Sequence, residues 1–138
     1  MNTLEVVSAY MEGFNCAKSL SPTGSTLFSF VSEASDGRSY DTIFEVTSDG
    51  RLLVRVWVDL PDGISEENMR RGLELANQDL SSGALGIFFA LEDGAKVVAS
   101  VAGIPEIVDY SIISCRLLAA QQALMKLEDF WPKYEARL

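Results

Sequence analysis

The sequence predicts an α+β fold, an antiparallel five-stranded sheet packed by helices, with the order α-β-β-β-α-β-β-α. Three observations carry that expectation. Apolar residues recur at spacings of three and four near both ends and once mid-chain, the period of an amphipathic helix. Between these segments lie runs rich in β-branched and aromatic residues. Asp-Gly pairs at Asp36-Gly37, Asp49-Gly50, Asp62-Gly63 and Asp93-Gly94 punctuate the runs, and both residue types tolerate the positive φ of tight turns. Helices and strands are segregated along the chain, which favours hairpins and an antiparallel sheet over parallel βαβ units. With 138 residues, 48% of them apolar, the chain has the size and core of one domain spanning 1–138.

The first twenty residues read as a helix, with Leu4, Val7, Met11 and Phe14 on one face and the break placed at the "SPTGS" stretch, residues 21–25. Strands follow at 26–32, 41–46 and 51–60. A second helix is expected after Gly63, with Ser65 as N-cap, Glu66 and Glu67 in its first turn and an apolar stripe of Met69, Leu73, Ala76 and Leu80. The last helix is expected to begin near Pro105. Tyr110, Leu117, Leu124 and Trp131, with Ile113, Ala120, Leu127 and Tyr134, give it a near-heptad stripe suited to lying across a sheet. Pro132 should end or kink it.

If Asp93-Gly94 is a two-residue turn, Leu91 pairs with Lys96, Phe89 with Val98 and Ile87 with Ser100. One face then carries Leu85, Ile87, Phe89, Leu91 and Val98, and the other Phe88, Ala90, Val97, Ala99 and Val101. The same logic at Asp49-Gly50 sets Arg55 opposite Phe44, sharing a face with Val46, Leu53 and Trp57. Both hairpins are then apolar on both faces, whereas an antiparallel sheet usually keeps one face wet. Leaving five or six large side chains exposed would forgo on the order of 10 kcal/mol of burial. An exposed apolar patch of that size marks an association surface.

Eleven basic and 20 acidic residues give a net charge of −9, which argues against nucleic acid and anionic membranes as partners. The N-terminus lacks the basic region of a signal peptide, and no apolar run is long enough to span a bilayer, so a cytoplasmic location is expected. Cys16 and Cys115 are isolated and are expected as reduced, buried thiols. Histidine is absent, which removes the commonest general base, metal ligand and nucleophile partner. No cofactor motif is present: "GALG" at 83–86 precedes a strand, not a helix, and no P-loop exists. Asp59, Asp62, Glu66 and Glu67 lack the spacing of a calcium loop and suit a turn and a helix start.

Arg55 interrupts an apolar strand and suits either a stem lying over aromatics or an anchor for a partner. Phe28, Phe30, Phe44, Arg55 and Trp57 are the candidate partner-binding residues, although one sheet face has to be core.

The stretch "LELANQDLSSGALGIFFALEDGAKVVASVAGIPEIVDYSIISCRLLAAQQALMKLEDFW" runs from a helix ending near an Asn, through a Gly-containing loop, to two strands about an acidic-Gly turn, a Pro-bearing loop and a long closing helix. In this, and in its element order and acidity, the chain resembles type III secretion chaperones of the Tir-chaperone type and the YbjN-type proteins of the same fold. That resemblance implies a cytoplasmic homodimer without catalytic activity or cofactor. It places the dimer surface at Met69, Leu73, Ala76 and the strand bearing Leu85, Ile87 and Phe89. It implies a protein client or, in the YbjN-type alternative, a regulatory role without an export client. A small enzyme using Asp, Glu, Tyr or Lys would instead need a deep pocket holding a perturbed carboxylate.

Overall fold

A computed structural model describes residues 2–59, 63–80, 87–92, 96–101 and 109–137. It is α+β as expected, with six strands in place of five. The elements are α1 (Thr3–Tyr10), β1 (Ala17–Leu20), β2 (Thr26–Glu33), β3 (Ser39–Val46), β4 (Leu52–Asp59), α2 (Glu66–Leu80), β5 (Ile87–Glu92), β6 (Lys96–Val101) and α3 (Tyr110–Glu135). The sheet is antiparallel throughout, in the order β1-β2-β3-β4-β6-β5.

The added strand corrects the expectation of a twenty-residue first helix. The Asn2 side chain accepts from the Glu5 amide and starts α1, but the helix stops at Tyr10 and Gly13 turns the chain with φ of 87°. A left-handed glycine just past a helix is a stop signal. Residues 17–20 are thereby released to pair with β2, and the Ser-Pro-Thr-Gly stretch becomes a hairpin loop.

Three hairpins share one loop geometry. The Ser21 amide donates to the Ser25 carbonyl, Ala34 to Arg38 and Thr47 to Arg51. Each loop also has its glycine, Gly24, Gly37 or Gly50, donating back to the first of these residues, with φ of 84° to 89°. This is a three-residue loop ending in a left-handed glycine, not a two-residue turn. The difference of one residue flips every following side chain to the other face. Phe44 therefore pairs with Val54, and Arg55 lies opposite Ile43, correcting the expected Phe44–Arg55 pair. The β5–β6 hairpin is also displaced by one residue, in the opposite sense, with Leu91 opposite Val97, Phe89 opposite Ala99 and Ile87 opposite Val101. Its connection, 93–95, lies outside the described residues.

The corrected register sorts the faces. Phe28 and Phe30, Phe44 and Val46, Leu52, Val54 and Val56, Phe89, and Val97 and Ala99 all point to one side and are buried there. The three helices cover that side, α1 over β3 and α3 across β4, β6 and β5, with α2 flanking α3 and β5. Met69, Leu73 and Ala76 of α2 and Ile113, Ala120, Leu124, Leu127, Trp131 and Tyr134 of α3 complete the core. Ser65 caps α2 as expected, its Oγ accepting from the Asn68 amide at 3.1 Å.

The start of α3 differs from expectation. Asp109 is its N-cap, accepting from the Ile112 amide at 2.9 Å, and Pro105 lies outside the described residues. Pro132 sits inside the helix instead of ending it. Only one turn follows, and Trp131 and Tyr134 hold that turn by burial on either side of the proline. The expected buried thiol also fails at Cys115, which is exposed; Cys16 is half-buried, and both are free.

Two polar links tie the β2–β3 hairpin to α3. Arg38 bonds Asp129 at 2.8 Å, and Tyr40 donates to Glu128 at 2.7 Å. The hydrogen bond to Asp129 holds the Arg38 pKa above its ordinary value, and burial followed by the Glu128 bond raises that of Tyr40. Deeper in, Gln121 donates to the Ser32 hydroxyl at 2.9 Å, which in turn meets Thr42 at 2.6 Å, so these buried polar groups satisfy one another.

Two predictions follow from this packing. A Cβ on Gly72 would lie 2.5 Å from Trp131 Cη2, so Gly72→Ala should lose about 1–2 kcal/mol in urea unfolding despite alanine's better helix propensity. The loss should shrink in a Trp131→Phe background, a coupling that a double-mutant cycle reads. The Ile112 amide, then Ser111, holds the Asp109 carboxyl below its ordinary 3.8. A lowered folded-state pKa stabilises above the unfolded value and is lost as pH falls through the folded one. Asp109→Ala should therefore lower the urea midpoint at neutral pH, and the gap should close below pH 3.8.

Candidate functional site

Among the described residues, no helix lies on the second face of the sheet. It presents Leu27, Ser29, Val31 and Glu33 from β2; Ser39, Asp41, Ile43 and Glu45 from β3; and Leu53, Arg55, Trp57 and Asp59 from β4. Lys96, Val98 and Ser100 of β6 and Phe88, Ala90 and Glu92 of β5 extend it. Strand alternation places them there once the register is set. Val31 is 64% exposed and Phe88 54%, while Ile43, Leu53 and Trp57 are half-buried.

A chain of side-chain contacts crosses this face. Glu45 pairs with Arg55, whose guanidinium lies 5.8 Å from the centre of the Trp57 ring. Trp57 Nε1 donates to Glu92 at 2.8 Å. To reach β5 the indole spans β6, and Val98, directly opposite Trp57, is only 6% exposed as a result. Arg55 is thus held by both a carboxylate and an aromatic ring.

One hollow of about 600 Å³ is lined by residues from all six strands, among them Ala17, Val31, Ile43, Trp57, Glu92 and Lys96, with Cys16 at its rim. A single hollow touching every strand requires a cupped face. A second, of about 360 Å³, shares Val31, Asp41, Trp57 and Lys96 with the first and extends the trough towards Ser39 and Asp59.

The two edges of the sheet differ. All four residues of β1 are exposed, Leu20 the most among the large apolar side chains described. At β5 the edge is closed: the Asn77 side chain of α2 accepts from the Phe89 amide at 2.7 Å and donates to the Phe89 carbonyl at 2.9 Å. Its carboxamide stands where the peptide group of a further strand would stand. Beside it lies a hollow of about 260 Å³ between α2 and β5, lined by Arg70, Leu73, Glu74 and Phe88.

The expected site residues divide between core and surface. Phe28, Phe30 and Phe44, expected to bind a partner, are buried under the helices, with the Phe30 and Phe44 rings packed edge to face at 5.0 Å. Met69, Leu73, Ala76 and Phe89, expected at a dimer surface, are buried in the chain's own core. Ile87 is half-buried against that core, and Leu85 lies outside the described residues. Arg55 and Trp57 do lie on the open face. Sequence reasoning missed Val31, Asp41, Glu92 and Asn77; the first three follow from the register that a three-residue loop sets.

Of the acidic run considered for a cation, Asp59 ends β4, Glu66 and Glu67 open α2, and Asp62 lies outside the described residues. Among the described residues, no three acidic or thiol side chains gather as a metal site would require, and no helix is long and apolar enough to cross a membrane. Comparison of the chain with protein-family models, curated proteins and solved structures gives no match.

Closing the β5 edge should matter to stability and solubility alike. Asn77→Asp removes the donor to the Phe89 carbonyl and sets a carboxylate against it, with an expected loss of about 1–3 kcal/mol in urea unfolding. Asn77→Ala should keep the fold but scatter more light on standing, as the edge becomes available for strand pairing.

Proposed function

We propose that this chain is a protein-binding module without catalytic activity, which works as a homodimer and holds a segment of a partner protein on the open face of its sheet. One observation carries this reading: the cupped face bears Val31, Ile43, Leu53, Trp57 and Phe88, and none of the chain's described helices covers it. Apolar area left in water forgoes roughly 25 cal/mol per Å², and a covering partner recovers it. The element order, β1 aside, is the one on which the resemblance to secretion chaperones rests. In that reading the partner is an exported protein held in the cytoplasm before release. The YbjN-type reading keeps the surface and replaces the export client with a regulatory one.

The dimer contact is drawn at the closed edge. Phe88 stands exposed beside the α2–β5 hollow, where Glu74 and Arg70, the latter in an exposed pair with Glu66 at 2.7 Å, present both charges to a self-complementary contact. A two-fold interface needs such a patch, since each copy meets the same surface of the other. Buried Met69, Leu73, Ala76 and Phe89 would support this interface from beneath, not enter it.

Phe88→Asp and Phe89→Asp test the arrangement. Phe88 is exposed, so its variant should stay folded and halve the light-scattering mass of the wild type. Phe89 is 1% exposed, so its variant should lose about 3–5 kcal/mol or fail to fold. For the partner, a stoichiometric protein should co-purify with the wild type from native lysate and be lost with Val31→Glu. A wild-type chain of monomer mass, with no partner sensitive to Val31, would overturn the proposal.

A further inference from the structure

The open face carries a charge pattern that selects its occupant. Its titratable groups are Glu33, Asp41, Glu45, Asp59, Glu92, Arg55 and Lys96: five carboxylates against two cations. Arg55 is already engaged by Glu45 and the Trp57 ring, which cancels one charge of each sign within the sheet. Glu33, Asp41, Asp59 and Glu92 face the solvent side with Lys96 as their one described counter-charge on that face. Asp41 and Glu92 belong to the larger hollow, beside Val31, Ile43 and Trp57; Asp41 and Asp59 belong to the smaller. Apolar floor and acidic wall thus lie within one trough.

Resting on the reading of this face as a partner surface, we propose that the trough takes an extended peptide segment carrying apolar and Lys or Arg side chains on the same side. An extended segment directs every second side chain to one face, so apolar residues at alternate positions meet Val31, Ile43 and Trp57. A cation at the next such position comes within reach of Asp41, Asp59 or Glu92. Charge complementarity of this kind raises the association rate and rejects like-charged partners. A second copy is such a partner: two open faces, each with three excess negative charges, repel when apposed. The whole chain, at −9, gives the same sign at longer range.

The test uses synthetic peptides of about nine residues, roughly the length of a long strand. The first has leucine at central alternate positions, arginine at both ends and serine between; the second has glutamate for arginine; the third has serine for leucine. The readout is the indole N–H resonance of Trp57, distinguished from that of Trp131 by a Trp57→Phe variant. The arginine peptide should shift it and bind at least about tenfold more tightly than the glutamate peptide at low salt, with the gap closing towards 1 M salt, where screening is short-ranged. The serine-for-leucine peptide should bind more weakly than the first. Asp41→Asn combined with Glu92→Gln, which keeps an acceptor for Trp57 Nε1, should remove most of the gap.

Equal or tighter binding of the glutamate peptide overturns this proposal and leaves the open face as a partner surface. A Trp57 resonance that no peptide moves overturns both. A Trp57 resonance that shifts with protein concentration alone assigns the face to a second copy and also overturns this proposal.

Discussion

A glycine in the left-handed region, at the third position of a three-residue loop, decides which side of this sheet each strand residue faces. Gly24, Gly37 and Gly50 repeat the device at three successive hairpins, with φ of 84° to 89°. A side chain at those positions would strain a backbone that only glycine adopts freely. Strand alternation then does the rest. Phe44 falls on the side of Val54 under the helices, and Ile43 falls on the side of Arg55 in the open. Core and open face are separated by the loops before any packing energy distinguishes them.

Most of the architecture was legible in the amino acids. The α2 cap at Ser65, the apolar stripe of α3 and five of the strands all follow from spacing and capping chemistry. The faces were not, because Asp-Gly fits both a two-residue turn and the end of a three-residue loop, and the two differ by one residue of register. That single residue turned a sheet with one mixed face into hairpins that looked apolar on both sides. With register corrected, Lys96, Val98 and Ser100 join Phe88, Ala90 and Glu92 on the open side. The helix α1 misled for a related reason: Leu4, Val7, Met11 and Phe14 keep a helical spacing past the point where Gly13 has turned the chain. Asn77 was beyond sequence reasoning, since its partner is backbone and backbone leaves no mark in residue identity.

The open face draws its shape from the covered one. Tyr40 and Arg38 fasten the β2–β3 hairpin to the far half of α3, and the Ser32–Thr42–Gln121 chain fixes the same strands from beneath. These links hold one wing of the sheet, while α2 and α3 hold the other through Gly72 and Trp131. Across the top, Glu45, Arg55, Trp57 and Glu92 bridge from β3 to β5. A trough braced on both surfaces needs little reordering to take the partner proposed for it, and preorganisation of that kind lowers the cost of binding.

The asymmetry of the two sheet edges limits how these molecules can assemble. Fibres grow when each subunit offers one edge to the molecule before it and another to the molecule after it. Here Asn77 occupies the middle of one edge, and an incoming strand has to strip its carboxamide of both bonds to Phe89 before pairing there. Among the described residues, nothing plugs the β1 edge in this way, and all four of its residues are exposed. Two β1 edges meeting head to head consume each other, and no third chain can join by strand pairing. Edge-to-edge growth therefore terminates at a pair, so a single carboxamide makes this sheet a chain terminator instead of a seed.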